Sequence, residues 1–125
     1  MKIKKNVIWW TGIINPDHSD KYGKFEYFEY SRKSWEYWCK RNNCEFVAFT
    51  EPIESDLKKF RVNWQKAIFV FDELERRGID YNQICLVDSS SMVKWNTPNF
   101  FELTDNKFCA LRDTWDRDIN RILGT

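Results

Sequence analysis

Gln83-Ile84-Cys85-Leu86-Val87-Asp88 carries the clearest mark of a fold class in the chain. Four apolar residues run without a polar break, the chain turns acidic, and Ser89-Ser90-Ser91-Met92-Val93 follows. A short apolar run that does not alternate with polar residues reads as a strand buried on both faces, the habit of parallel sheets. Residues 6–11, 44–50 and 107–112 have the same character, so four strands are expected. The segments between them carry helical spacing. In residues 25–41, Phe28, Trp35 and Cys39 share one face, Tyr27, Ser31, Ser34 and Trp38 lie beside it, and Asn42-Asn43 supplies a stop. In the next interval Trp64, Ala67, Ile68, Phe71 and Leu74 recur at i, i+3, i+4 and i+7, which predicts the buried face of a helix ended by Gly78. Glu73, Glu75, Arg76 and Arg77 are then expected on the solvated side. Thr97-Pro98 predicts a short helical turn carrying Phe100, Phe101 and Leu103, with Pro98 at its first position. A last helix is expected over residues 115–123.

Strand–helix–strand–helix–strand predicts an α/β domain with right-handed crossovers. The expected architecture is three-layer and Rossmann-like, a small, mostly parallel sheet of order 2-1-3-4 flanked by helices, in one domain over residues 1–125. In that order the sheet reverses direction beside the first strand. The loops over residues 11–24 and 88–97 then face each other across a crevice, the usual ligand site of open α/β sheets.

Composition narrows the rest. Aromatic residues are 18% of the chain, enough large rings to fill the core of a 125-residue domain. Twenty basic and nineteen acidic residues leave a net charge of +1, which argues against a strongly basic nucleic-acid reader. Residues 21–41 interleave rings with lysines and arginines, as single-stranded nucleic-acid binders do, but Glu26, Glu29 and Glu36 dilute that charge. Nucleic acid is therefore not an expected partner. Cys39, Cys44, Cys85 and Cys109 form no C-x-x-C pair, and His18 is the single histidine, so no structural zinc site is expected. The cysteines read as reduced, buried thiols of a cytoplasmic protein. Lys2, Lys4 and Lys5 before Val7-Ile8-Trp9-Trp10 mimic a signal peptide. Thr11-Gly12 interrupts the run and no small-residue cleavage site follows, so a buried first strand is expected, and no membrane span.

Asp88 stands where a buried strand meets solvent. A carboxylate there suits Mg²⁺ or Mn²⁺ bridging to phosphate oxygens; equally, it suits a side-chain cap of the next turn, with the serines adding local hydrogen bonds. Thr11 and Gly12 close the first strand, either as a simple turn or as a backbone approach to a ligand. Lys66, with Arg61 a turn earlier, reads as an exposed basic face or as a reach toward a diphosphate. His18 beside Asp17 and Asp20 reads as a solvated loop histidine, and Arg112-Asp113 as an ion pair near the crevice. Trp9, Trp35, Trp64 and Trp95 are expected in packing rather than as a sugar platform.

The chain also resembles a known family. Asn6-Val7-Ile8-Trp9-Trp10-Thr11-Gly12, Ser34-Trp35, Trp64-Gln65-Lys66, Val87-Asp88-Ser89-Ser90-Ser91-Met92-Val93, Pro98-Asn99-Phe100-Phe101-Glu102 and Cys109-Ala110-Leu111-Arg112-Asp113 look like the element pattern of small GT-A-type glycosyltransferases. In that family an Asp-x-Asp at the strand end grips a metal and the diphosphate of a nucleotide-sugar donor. The resemblance implies donor contacts at Thr11, Gly12, Lys66, Asp88, Ser89 and Ser90, with Mn²⁺ or Mg²⁺ at Asp88 and, as an auxiliary ligand, Ser90. Here Ser90 replaces the second carboxylate, and a neutral hydroxyl is the weaker ligand. Family members also continue further, with an acceptor-binding part, so the chain looks like a donor-binding half. The expected function is binding of a nucleoside diphosphate sugar by a glycosyltransferase-like domain, with no residue assigned as acceptor base. The alternative is a non-catalytic binding or structural module. A homo-oligomer or a partner chain that completes the domain is expected in either case.

Overall fold

The computed structural model describes residues 4–14 and 26–110. The elements run β1 (Lys5–Thr11), α1 (Glu26–Arg41), β2 (Glu45–Phe49), α2 (Val62–Ile68), α3 (Val70–Arg76), β3 (Tyr81–Asp88) and a 3-10 turn (Phe100–Leu103). Three strands form one sheet of order β2-β1-β3, both pairings parallel. β1 is central and buried on both faces from Val7 to Thr11, as its unbroken apolar run demands.

Alternation along β1 sends its side chains into two cores. Val7, Trp9 and Ile13 join Val47, Phe49, Val70 and Leu74 under α2 and α3. Ile8 and Trp10 join Trp35, Trp38, Cys39, Cys44 and Phe101 under α1. The crossovers thus place one helix layer on each face. α1 carries Glu26 and Glu29 in its first turn and Lys40 and Arg41 in its last, matching the helix dipole. It stops at Asn43, whose φ of 53° is left-handed, while Cys44 N–H closes back on the Cys39 carbonyl.

α2 and α3 form a nearly continuous helix. Phe69 between them donates to the Gln65 carbonyl and accepts from Glu73 N–H, so the hydrogen-bond ladder passes through the irregularity. Its buried face differs from the expectation. Trp64 is 62% exposed, Ile68 and Phe71 are exposed as well, and of the expected face only Leu74 is buried. The sheet is covered instead by Val62, Gln65, Val70, Glu73 and Leu74. Two buried polar residues on that face are fully answered. Gln65 Oε1 accepts from Glu54 N–H, and its Nε2 donates to the carbonyls of Glu54 and Phe60. Glu73 accepts from Arg76 Nε and Nη2 and from Arg77 Nε. The Arg76 bond, with Arg77 adding charge, holds the Glu73 carboxyl below its usual range. Paired polar groups can be buried at little net cost. The helix therefore turned its polar but satisfied side inward and left three large apolar side chains outside. Gly78, at a φ of 68°, ends α3 as expected.

A fourth strand is not observed among the described residues. Residues 107–110 form no strand and are exposed, and residues 111–112 lie outside the described part, as do His18, Arg112-Asp113 and the expected helix over residues 115–123. The 3-10 turn begins later than the sequence suggested. Asn99, not Thr97, is the cap, its Oδ1 accepting from Phe101 N–H, and Pro98 precedes it rather than opening the turn.

All four cysteines are free. Burial pushes the Cys39 thiol up to about 12 and Cys85 to about 11, and raises Cys44. Cys109 is exposed, against expectation, because its segment is not a strand. Since the thiolate is the reactive form, one thiol should react rapidly with an aromatic disulfide reagent at pH 8 and three only after denaturation. Time-resolved labelling read by intact mass checks this, and a second fast thiol would contradict it.

Candidate functional site

The sheet order creates a switch point. β1 leads to β2 on one side through α1, and β2 returns across β1 to β3 through α2 and α3. The connections part at the C-terminal ends of β1 and β3, the switch point where open α/β sheets bind ligands. Thr11 and Asp88 end these strands as register partners. Side chains two apart on a strand share a face, so Thr11 and Asp88 both sit on the α2 side, above Trp9 and Leu86.

α2 brings a cation to this end. Lys66 Nζ donates directly to Asp88 Oδ1, with Lys66 mostly shielded and Asp88 half exposed. The helical phase that exposes Trp64 is the phase that turns Lys66 toward β3. Thr11 is 4% exposed, and its Oγ1 has no partner among the described residues; neither has the buried Trp9 Nε1 two residues back on the same face. Unpaired buried polar atoms are uncommon and call for water or a ligand atom.

The turn after β3 is held from beneath. Ser89 N–H donates to the Thr11 carbonyl, tying the two strand ends together at 3.0 Å. Ser91 N–H and Oγ both donate to the Asp88 carbonyl, at 3.0 and 2.6 Å. Ser91 also accepts from Trp35 Nε1 through its hydroxyl and from the Ser31 hydroxyl through its carbonyl. Ser31 in turn accepts from Trp10 Nε1. This chain from β1 through α1 to the turn fixes the Asp88 backbone. Sequence reasoning missed Ser91, for which three consecutive serines offer no distinguishing signal. Ser90 is exposed and Ser89 half-buried.

The expected residues are thus brought together in part. Thr11, Lys66, Asp88 and Ser89 gather at the switch point, and Ser90 borders it. Gly12 has another role. Its N–H donates to the Phe49 carbonyl of β2, and a Cβ there would lie 2.2 Å from the Trp10 ring. The absent side chain makes room for an indole on the α1 face, away from Asp88. Arg61 is exposed ahead of α2 and caps nothing with its side chain. Trp9 and Trp35 are core residues; Trp64 and Trp95 are exposed, and Arg41 lies over the Trp95 ring at 5.4 Å.

Asp88 is a lone carboxylate here: among the described residues, no three His, Cys, Asp or Glu side chains group as a metal site. One carboxylate completed by phosphate oxygens and water is nevertheless an ordinary way to hold Mg²⁺. No known family, no curated protein and no solved structure matches the chain.

Proposed function

We propose that the chain binds the diphosphate of a nucleoside diphosphate sugar at the C-terminal ends of β1 and β3, as a glycosyltransferase-like donor domain. The observation that carries this reading is the meeting, at the switch point of a parallel sheet, of Asp88, Lys66 and a Thr11 hydroxyl that has no partner among the described residues. A carboxylate, an ammonium and a buried hydroxyl are the groups that a phosphate-bound cation and phosphate oxygens require.

Lys66 neutralises Asp88. An incoming diphosphate offers the ammonium a second anion, and offers the Thr11 hydroxyl a partner that the described residues do not supply. The Ser91 network holds the Asp88 backbone during this exchange, so little reorganisation is needed. Mg²⁺ or Mn²⁺ bound at Asp88, with Ser90 as an auxiliary contact, would stabilise charge on the departing diphosphate. Binding without turnover is the second reading, favoured by Ser90 in place of a second carboxylate.

Calorimetric titration with uridine and guanosine diphosphates, each with and without Mn²⁺, tests the proposal. One nucleotide is expected to bind with Mn²⁺ present, and Asp88→Ala to weaken it at least tenfold. Mn²⁺ alone should give no saturable heat. Failure of a folded wild-type chain to bind either nucleotide under any of these conditions would overturn the donor site.

A further inference from the structure

We infer that the open edge of β3 is a self-association surface, on which the same edge of a second copy pairs antiparallel about a twofold through Leu86. Among the described residues β1 is the only strand beside β3. Ser89 N–H points to the Thr11 carbonyl. By strand alternation the N–H and C=O groups of Ile84, Leu86 and Asp88 then point away from β1. The register shift in β3 falls between its Tyr81 and Ile84 pairings, which leaves Ile84 to Asp88 regular.

The two sheet edges are treated differently. β2 is five residues long, and its outward Ala48 carbonyl accepts from Arg77 Nη1 at 2.9 Å. Short length and a covering charge are ordinary protection for an edge. β3 has neither. From Ile84 to Val87 it carries no charge and no proline, Leu86 is 45% exposed, and the Asp88 charge is answered by Lys66.

Charge and register select a second copy as the occupant, and the antiparallel sense. With Leu86 opposite its mate, Ile84 faces Asp88 of the other copy, and all three outward residues meet partners that are also outward. The Leu86 pair exchanges two backbone bonds, and in each Ile84–Asp88 pair the Asp88 N–H donates to the Ile84 carbonyl, the Asp88 carbonyl being held by Ser91. Both Asp88 carboxylates stand away from each other in this arrangement, whereas parallel pairing would set them side by side. A net charge of +1 leaves little repulsion between copies. On the α2 face the two Leu86 side chains come together at the twofold and lose their exposure. The sheet becomes continuous, in the order β2-β1-β3-β3-β1-β2.

Sedimentation equilibrium of the full chain, from about 5 to 200 µM, tests this. The expected mass approaches twice the 15.3 kDa of one chain. Leu86→Lys, which sets two ammonium groups together at the twofold, should return it to a single chain with an unchanged circular dichroism spectrum, while the control Tyr37→Lys on the exposed side of α1 stays paired. A wild type that sediments as one chain throughout, or a dimer that survives Leu86→Lys, overturns the inference. Amide exchange keeps the test open should Leu86→Lys not fold. The amides of Ile84, Leu86 and Asp88 should exchange more slowly as wild-type concentration rises; protection independent of concentration means that another segment covers the edge, and no protection means a bare one, either of which overturns it.

Discussion

Trp38→Ala is expected to lower the free energy of unfolding by about 3–5 kcal/mol, the range for a large buried ring cut back to a methyl group. Trp38 is fully buried at the centre of the α1 core. It stacks on Phe100 with centroids 4.7 Å apart and planes 12° from parallel, and meets Trp35 edge-on and Phe101 at a tilt. Its Nε1 donates to the Thr97 carbonyl at 2.9 Å. The side chain therefore joins α1 to the segment after β3 by packing and by a polar bond. Domains of this size are stable by only about 5–15 kcal/mol, so the variant should sit near the edge of folding at 25 °C. Trp38→Phe separates the two contributions. It keeps much of the stack but leaves the Thr97 carbonyl unanswered, and should cost about 1–3 kcal/mol. Urea titrations followed by circular dichroism measure both. An unchanged midpoint for Trp38→Ala would mean that the segment from Thr97 to Leu103 does not depend on α1. A larger loss for Trp38→Phe than for Trp38→Ala would contradict the packing account.

Gln65→Leu should destabilise by about 2–4 kcal/mol although it replaces a buried amide with an apolar side chain of similar size. Hydrophobicity alone predicts the opposite sign. Gln65 is fully buried, and its amide answers Glu54 N–H, the Glu54 carbonyl and the Phe60 carbonyl. The leucine leaves all three backbone groups without their partner, in a connection over residues 50–60 that has no strand or helix of its own to supply others. Gln65→Glu keeps the acceptor for Glu54 N–H but aims a carboxylate at two carbonyl oxygens. Burial and those oxygens raise the pKa of such a group, so it should be less destabilising at pH 4 than at pH 7. Thermal unfolding at the two pH values, each compared with wild type, reads the difference. A Gln65→Leu variant at least as stable as wild type would show that the loop finds its hydrogen bonds elsewhere.

These two residues also mark where sequence reasoning succeeds and where it fails. Trp38 falls beside the predicted buried face of its helix because Phe28, Trp35 and Cys39 give that helix an apolar stripe. The second helix offered two stripes. One, through Trp64, Ala67, Ile68 and Phe71, is the more apolar; the other, through Val62, Gln65, Val70 and Glu73, contains two polar residues. Counting apolar positions selects the first. The protein uses the second, because the amide of Gln65 and the carboxylate of Glu73 find partners within the fold, at residues 54, 60, 76 and 77. Arg76 and Arg77 stand three and four positions after Glu73, a spacing visible in the sequence. The Gln65 partners are a loop backbone, for which the sequence has no sign. Phase also governs the candidate site, since only the observed phase aims Lys66 at Asp88.

Local pattern is enough to make the chain α/β, to locate its first three strands to within two residues, to bury β1 on both faces, and to end helices at Asn43 and Gly78. These follow from local chemistry: unbroken apolar runs, one unambiguous helical stripe, and residues that tolerate a positive φ. Long-range contacts set which side of α2 and α3 meets the sheet, the pairing of Lys66 with Asp88, the anchoring of the turn by Ser91 rather than its neighbours, and the lack of a strand at residues 107–110. Each of those turns on partners distant in the chain. Whether a polar side chain can be buried, or an edge strand extended, depends on what the fold brings opposite it, and no local pattern carries that information.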